Sequence, residues 1–313
     1  MPEAAFQEQD LEFASGGLSL AGTLTKPTSG AKLPAILFLP GSGKTDRNDN
    51  AKQLSINLFP QLVPTLSELG LITFRYDKRG VGASEGSYFA TGFDDLFNDA
   101  EAAISYLADR EDVDSSRIFV LGHSEGAILA VRLAAAETGI AGAIALAGSA
   151  KSGQETMLWQ TRQIAKSISG FSALVIRLLR IDLVSSLEKN LKRIKQTTKN
   201  QVRIQGNKIN AKWMREFLEY DPSPDLRTVR APLLGITGSN DIQVDPGDLK
   251  LMAEQVPAQF ESYELPGLSH LFRQDHEGLG LKGYRKQASM PLDGSVIKLV
   301  GGWLAHRLDS SKK

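Results

Sequence analysis

Short strand-like runs, several of them apolar from end to end, alternate along this chain with segments of helical periodicity, and no other feature restricts the fold as strongly. Leu33 to Leu39 carries no polar side chain at all, as expected for a strand covered on both faces. Leu71 to Tyr76, Ile118 to Leu121, Ala143 to Ala147, Leu233 to Thr237 and Phe260 to Leu265 repeat the theme. Between them lie helical patterns at Leu54 to Leu69, Phe93 to Leu107 and Ala127 to Glu137, and a last one at Asp293 to Leu308. In the second of these, Phe93, Leu96, Phe97, Ala100, Ile104 and Leu107 fall at helical spacing. Strands alternating with helices imply an α/β protein with a mainly parallel sheet and helices on both faces. Leu11 to Ser15 and Leu18 to Lys26, joined by Gly16-Gly17, read as a hairpin at one sheet edge.

The alternation breaks once, between Gly148 and Asp225. Leu174, Leu178, Ile181, Val184, Leu187, Leu191 and Ile194 recur there at three- and four-residue spacing, with Arg177, Arg180, Lys189, Lys192, Arg193 and Lys195 mostly off the stripe. This predicts helical hairpins, with strand character returning only after Pro232. An α/β chain of 313 residues often forms one body with an insertion, which divides it into core residues 1–148, a helical lid over 149–225, and core residues 226–313. A lid there would cover the carboxyl ends of the strands, where open α/β sheets place their ligands. A basic amphipathic helix can also meet a membrane surface, but such a stripe more often packs on its own domain.

Lys plus Arg equals Asp plus Glu at 36 each, which argues against a general nucleic-acid or polyanion binder. The balance is local, however: residues 151–215 hold 14 basic residues against three acids. With no cysteine, thiol catalysis, thiolate metal sites and disulfides are excluded together. An acidic start without an apolar core, and no apolar stretch of spanning length, point to a cytoplasmic protein.

Gly122-His123-Ser124-Glu125-Gly126 directly follows the Ile118 to Leu121 run and directly precedes a helical segment. A G-x-S-x-G sequence at such a strand-to-helix turn holds a serine hydroxyl out of the sheet as a nucleophile. The glycines are needed because a Cβ at 122 or 126 would strike neighbouring backbone, and the serine itself is driven toward an unfavourable φ/ψ region. Ser124 would also sit at a helix N-terminus, where free N–H groups favour an oxyanion.

A serine nucleophile needs a base, and the base needs an orienting acid. Of four histidines, His123 lies beside the serine and reads as a packing or supporting residue, while His276 and His306 read as surface. His270 follows the Phe260 to Leu265 strand by five residues and is the candidate general base and acid. The acid is expected between serine and histidine in chain order, just beyond a strand. Asp241, in Gly238-Ser239-Asn240-Asp241, fits; Asp245 and Asp248 read as helix-capping residues.

The tetrahedral oxyanion requires fixed donors, each worth about 3 to 4 kcal/mol. The backbone N–H of Glu125 is one candidate. The second falls on Ser42, or alternatively Gly43, in the loop Pro40-Gly41-Ser42-Gly43. Lys44-Thr45 follow, but the G-x-x-x-x-G-K-[ST] spacing of a phosphate loop is absent. Trp159, Phe171 and Trp213 are candidates to line an acyl pocket or to pack the core.

Five segments in order, Pro40 to Asn48, Tyr76 to Ser84, Gly122 to Gly126, Gly238 to Asp241 and Gly267 to His270, resemble those of serine esterases of the α/β-hydrolase superfamily. The resemblance covers about residues 10–148 and 225–308 and is nearest to esterases related to dienelactone hydrolases and to serine aminopeptidase-like lipases. Dienelactone hydrolases proper use cysteine, which is missing here, and the usual H-G pair of the oxyanion loop is replaced by Pro40-Gly41. The resemblance implies a structural turn for Asp77 to Ser84. It also implies a serine hydrolase needing no metal or other cofactor and acting on a small-molecule ester, with an amide or aminopeptidase-like hydrolase and a non-catalytic binding protein as rivals. The basic insertion tilts the expectation toward esters, including ones that carry an anionic group.

Overall fold

The computed structural model describes residues 6–28, 32–136, 139–168, 170, 182–278 and 280–310. Eight strands form one sheet: β1 (Phe6–Ser15), β2 (Leu18–Pro27), β3 (Leu33–Leu39), β6 (Ile72–Tyr76), β7 (Val113–His123), β8 (Gly142–Leu146), β11 (Leu233–Gly238) and β12 (Phe260–Leu265), in the order β1-β2-β6-β3-β7-β8-β11-β12. The numbering leaves room for two short hairpins, β4 (Asn50–Ala51) with β5 (Leu54–Ser55), and β9 (Gln201–Ile204) with β10 (Asn207–Asn210). From β6 to β12 every neighbouring pair is parallel, and the β1–β2 hairpin joins antiparallel at the β6 edge.

Alternate residues of a strand face opposite sides, so a strand buried on both needs two cores. β3 meets this requirement. Ala35, Leu37 and Leu39 join a core with α2 (Phe93–Ala108) and α3 (Glu125–Ala135), while Ile36 and Phe38 join another with α1 (Leu58–Glu68) and the last helix, Gly294–Ser310. The α1 helix begins later than its apolar pattern. Leu54 and Ser55 pair with Asn50 and Ala51, and Asn57 takes a left-handed conformation (φ 44°) that starts the helix after it. With that trim, helices and strands match the alternation in the sequence, and the fold is the α/β-hydrolase fold.

The segment between β8 and β11 differs from its sequence reading. It holds α4 (Gly153–Ser167) and helices Leu183–Gln196, Ala211–Glu219 and Ser223–Thr228, but also the β9–β10 hairpin, so strand character returns well before Pro232. Gln205 and Gly206 make its corner, both at positive φ (50° and 82°). In Leu183–Gln196, Leu191 and Ile194 are buried while Lys189, Lys192, Arg193 and Lys195 are exposed, so this part of the stripe packs inward on its own protein. Leu174, Leu178, Ile181 and Phe171 lie outside the described residues. No helix among the described residues is long and apolar enough to cross a membrane.

Candidate active site

The elbow after β7 has the strain its glycines forecast. Ser124 sits at φ 55° and ψ −114° directly before α3. A Cβ on Gly122 would lie 1.8 Å from the Gly126 carbonyl oxygen, and one on Gly126 would lie 1.9 Å from that of Leu39. Only glycine fits either position. From Ile118 to Val131 every residue is buried except Ser124, so the fold presents this side chain alone.

His270 and Asp241 come together although strand and loop separate them in sequence. The His270 Nδ1 lies 2.7 Å from Asp241 Oδ2, with both side chains almost fully buried. The other carboxylate oxygen of Asp241 accepts from the backbone N–H groups of Gln243 (2.7 Å) and Val244 (3.0 Å). A carboxylate fixed in this way holds the proton on Nδ1 and leaves Nε2 free to accept one. Among the described residues no hydrogen bond joins the Ser124 hydroxyl to His270. Contacts of this kind commonly tighten only when substrate is bound.

The loop after β3 is held around Gly41. Its N–H donates to Asp49 Oδ1 at 2.7 Å, and its carbonyl accepts from Thr45 Oγ1 and from Lys78 Nζ, each at 2.6 Å. Across a trans peptide the C=O and the next N–H point opposite ways, so the Ser42 N–H is aimed away from Lys78 and Thr45. Ser42, Ser124 and Glu125 line one cavity of about 240 Å³. The Glu125 N–H, in the first turn of α3, has no acceptor among the described residues and is available to a ligand.

Ile128, Met157, Trp213, Phe217 and Val244 form the apolar wall of this cavity. Ser149, Thr156, Gln160 and Gln243 supply its remaining polar groups. Trp213 stacks on Phe217 with ring centroids 4.8 Å apart. Of the bulky residues singled out in the sequence, Trp213 is among the lining residues and Trp159 is half-buried elsewhere on α4, while Phe171 lies outside the described residues. Among the described residues, no lysine or arginine lines the cavity.

Several residues reach the site without having been legible as parts of it. Lys78, in the turn assigned a purely structural role, pairs with Glu125 Oε1 at 3.1 Å as well as bonding Gly41, and both side chains are buried. The second Glu125 oxygen has no protein partner among the described residues, and Glu125 is among the residues bordering a pocket of about 10 Å³, room for one water. The rest of the Asp77 to Ser84 turn is structural: Asp77 binds Arg47 and the Ala83 N–H. His123 is a supporting residue, buried between Asp49 and the His270 carbonyl. His276 and His306 are exposed. Asp248 corrects its reading as a helix cap. It makes no capping bond but accepts from Ser149 Oγ and the Ala150 N–H through one oxygen and forms an ion pair with Lys151 through the other, fastening the chain where it leaves β8. Burial raises its carboxyl above the usual range despite these donors.

Comparison with known proteins agrees with this architecture. Residues 54–277 match the family described as serine aminopeptidase, S33. Esterase EstD of Thermotoga maritima is 26% identical over 308 residues, 97% of this chain and 68% of the relative. Among solved structures, Est1E of Butyrivibrio proteoclasticus with ferulic acid bound superposes with a TM-score of 0.64 at 18% identity, covering 97% of this chain and 100% of that one. Acetyl xylan esterase 1 of a Thermoanaerobacterium species does so with a TM-score of 0.62 at 13% identity, covering 98% and 85%. The two structural likenesses concern the fold, whereas the family match spans most of the sequence, including the elbow, Asp241 and His270. The chain belongs to the serine aminopeptidase S33 family of α/β-hydrolases.

Proposed function

We propose that the chain is a serine carboxylesterase acting on small to medium, uncharged acyl esters. The observation that carries this reading is the buried Asp241–His270 pair on the same sheet end as the one accessible residue of a strained elbow, Ser124. As the Ser124 hydroxyl attacks the ester carbonyl, His270 Nε2 takes its proton and the new oxyanion accepts from the N–H groups of Ser42 and Glu125. The intermediate collapses to an acyl-enzyme, and His270 delivers the proton to the departing alcohol. Water then attacks with His270 as base, releasing the acid and restoring the serine. Relatives named as esterases support the reaction class.

Residues 149–225 serve in this proposal as the lid: α4 and the Ala211–Glu219 helix supply Met157, Gln160, Trp213 and Phe217 to the cavity wall. An enclosure of about 240 Å³ with an apolar wall suits short acyl chains better than long ones. A cytoplasmic location belongs to the same proposal, and subcellular fractionation tests it.

The family description favours aminoacyl substrates as a second reading. An aminopeptidase must bind a free ammonium group, and Glu125, the one ionisable side chain among the described residues lining the cavity, is already paired with Lys78. Side-by-side assays with p-nitrophenyl acetate, butyrate and octanoate against aminoacyl p-nitroanilides decide between them. Faster ester turnover is expected, and faster anilide turnover would overturn the esterase reading. A fluorophosphonate probe should label the wild type and leave Ser124→Ala unlabelled; an unlabelled, folded wild type would mean a binding protein on a hydrolase scaffold.

A further inference from the structure

His123 is buried between two acceptors. Its Nδ1 lies 2.5 Å from Asp49 Oδ2, and its Nε2 lies 3.0 Å from the backbone carbonyl of His270. A carbonyl can only accept, so Nε2 must carry a proton. A neutral ring would then present a bare Nδ1 to Asp49, which is tolerable only if that carboxyl is protonated. Ordinary acidities of about 3.9 and 6.5 put the shared proton on the ring instead. The other oxygen of Asp49 accepts the Gly41 N–H at 2.7 Å, a donor that favours the carboxylate. Both ring nitrogens therefore donate, and His123 is an imidazolium.

The surrounding charges agree. Burial alone would push the imidazole down and the carboxyl up, yet mutual attraction leaves His123 raised and Asp49 lowered. Asp241 adds to the pull on His123, and Lys78 and Arg273 act on or through Asp49. The His270 ring lies 4.9 Å away and the Phe272 ring 6.0 Å, centroid to centroid.

The connections are to chemically significant backbone at both ends. Gly41 immediately precedes the proposed oxyanion donor at Ser42, and the carbonyl held by His123 is that of the proposed catalytic base. We infer that Asp49 and imidazolium His123 form a second buried Asp–His pair that moves no proton and instead sets the spacing between the oxyanion loop and His270. The inference rests on the proposed catalytic roles of Ser42 and His270. Asp49 and His123 are positioning residues, and they act on turnover through their neighbours.

The test has two arms. In the full chain labelled with ¹⁵N-histidine, NMR from pH 5 to pH 9 should show one histidine with two persistent ring N–H signals and imidazolium shifts, absent in His123→Gln. A His123 that titrates near its ordinary value, or carries one N–H throughout, overturns the inference. In the second arm Asp49→Asn, nearly isosteric, should return His123 to a neutral ring. The same variant should lower kcat on p-nitrophenyl acetate by about 10- to 100-fold with KM within about threefold, the signature of misplaced catalytic groups. Affinity for a boronic acid that mimics the tetrahedral intermediate should fall in parallel. A folded Asp49→Asn protein with wild-type kcat would refute the spacing role, even with the imidazolium observed. If the wild type hydrolyses no ester, the proposed function fails separately. The NMR arm still decides the charge, and an unmoved His270 ring signal in Asp49→Asn then decides against the spacing.

Discussion

The ammonium of Lys78 donates to the carbonyl of Gly41 at 2.6 Å while pairing with Glu125, so one buried cation contacts both segments that carry the proposed oxyanion donors. Drawing electron density from the Gly41 carbonyl polarises the same peptide's N–H, that of Ser42, and fixes its direction. Lys78→Met should therefore lower kcat by about 10- to 100-fold with little change in KM, below the roughly 100- to 1,000-fold loss from deleting a donor outright. It should also destabilise the fold by about 3 to 5 kcal/mol, because the Glu125 carboxylate is left buried without its partner. Adding Glu125→Gln should restore most of the stability and none of the kcat. Steady-state kinetics and urea unfolding on the same three proteins separate the two effects.

Ser124 occupies φ 55° and ψ −114°, a combination open to glycine and costly to other residues. Strain of this kind costs about 1 to 3 kcal/mol, while a new glycine adds about 0.5 to 1 kcal/mol of unfolded-state freedom. Ser124→Gly should thus abolish fluorophosphonate labelling and raise stability by about 1 kcal/mol, read as a higher urea midpoint. A variant less stable than the wild type would show that the elbow is not strained.

The residues that could be found from the sequence were those whose position relative to a strand end carries the information. Ser124, Asp241 and His270 each follow a recognisable strand, and the flanking glycines of the elbow have a steric reason to be there. Asp49 and Lys78 could not be found in this way. Lys78 acts through partners 37 and 47 positions away and Asp49 through His123, 74 positions away, and a lone buried charge leaves no periodic mark. The β9–β10 hairpin was hidden for a different reason. Its strands, Gln201–Ile204 and Asn207–Asn210, are half exposed and mostly polar, and Gln205 stands where asparagine or aspartate normally signals a left-handed corner. Asp248 misled because the first turn of a helix is a common place for aspartate, and its burial against Ser149 and Lys151 depends on chain a hundred residues earlier.

Trp213 and Phe217 stack with ring planes 10° apart and together bound the cavity, so removing one ring should lengthen the space available to an acyl chain. Trp213→Ala is the better probe because Phe217 is more deeply buried, and Phe→Ala in a core costs about 3 to 5 kcal/mol. The ratio of kcat/KM for p-nitrophenyl octanoate to that for butyrate should rise about tenfold in Trp213→Ala. An unchanged ratio would place the acyl chain elsewhere.

The Asp49–His123 pair also makes a prediction about stability against pH. The folded-state acidity of His123 is raised, so its contribution is full below its unfolded value, near 6.5, and is lost as pH rises through the higher folded value. Asp49 is lowered, so its contribution is present above about 3.9 and is lost as pH falls through its folded value. Between these limits the pair stabilises the fold. His123→Gln removes the first term while leaving Asp49 ionised at neutral and alkaline pH. Urea unfolding from pH 7.5 to pH 10 should therefore show the wild-type advantage over His123→Gln shrinking as pH rises, by up to about 1.4 kcal/mol per unit for as long as native His123 keeps the proton that the unfolded chain has already lost. A difference that stays flat over that range would mean that native and unfolded His123 bind the same number of protons, so that His123 is already neutral in the native protein.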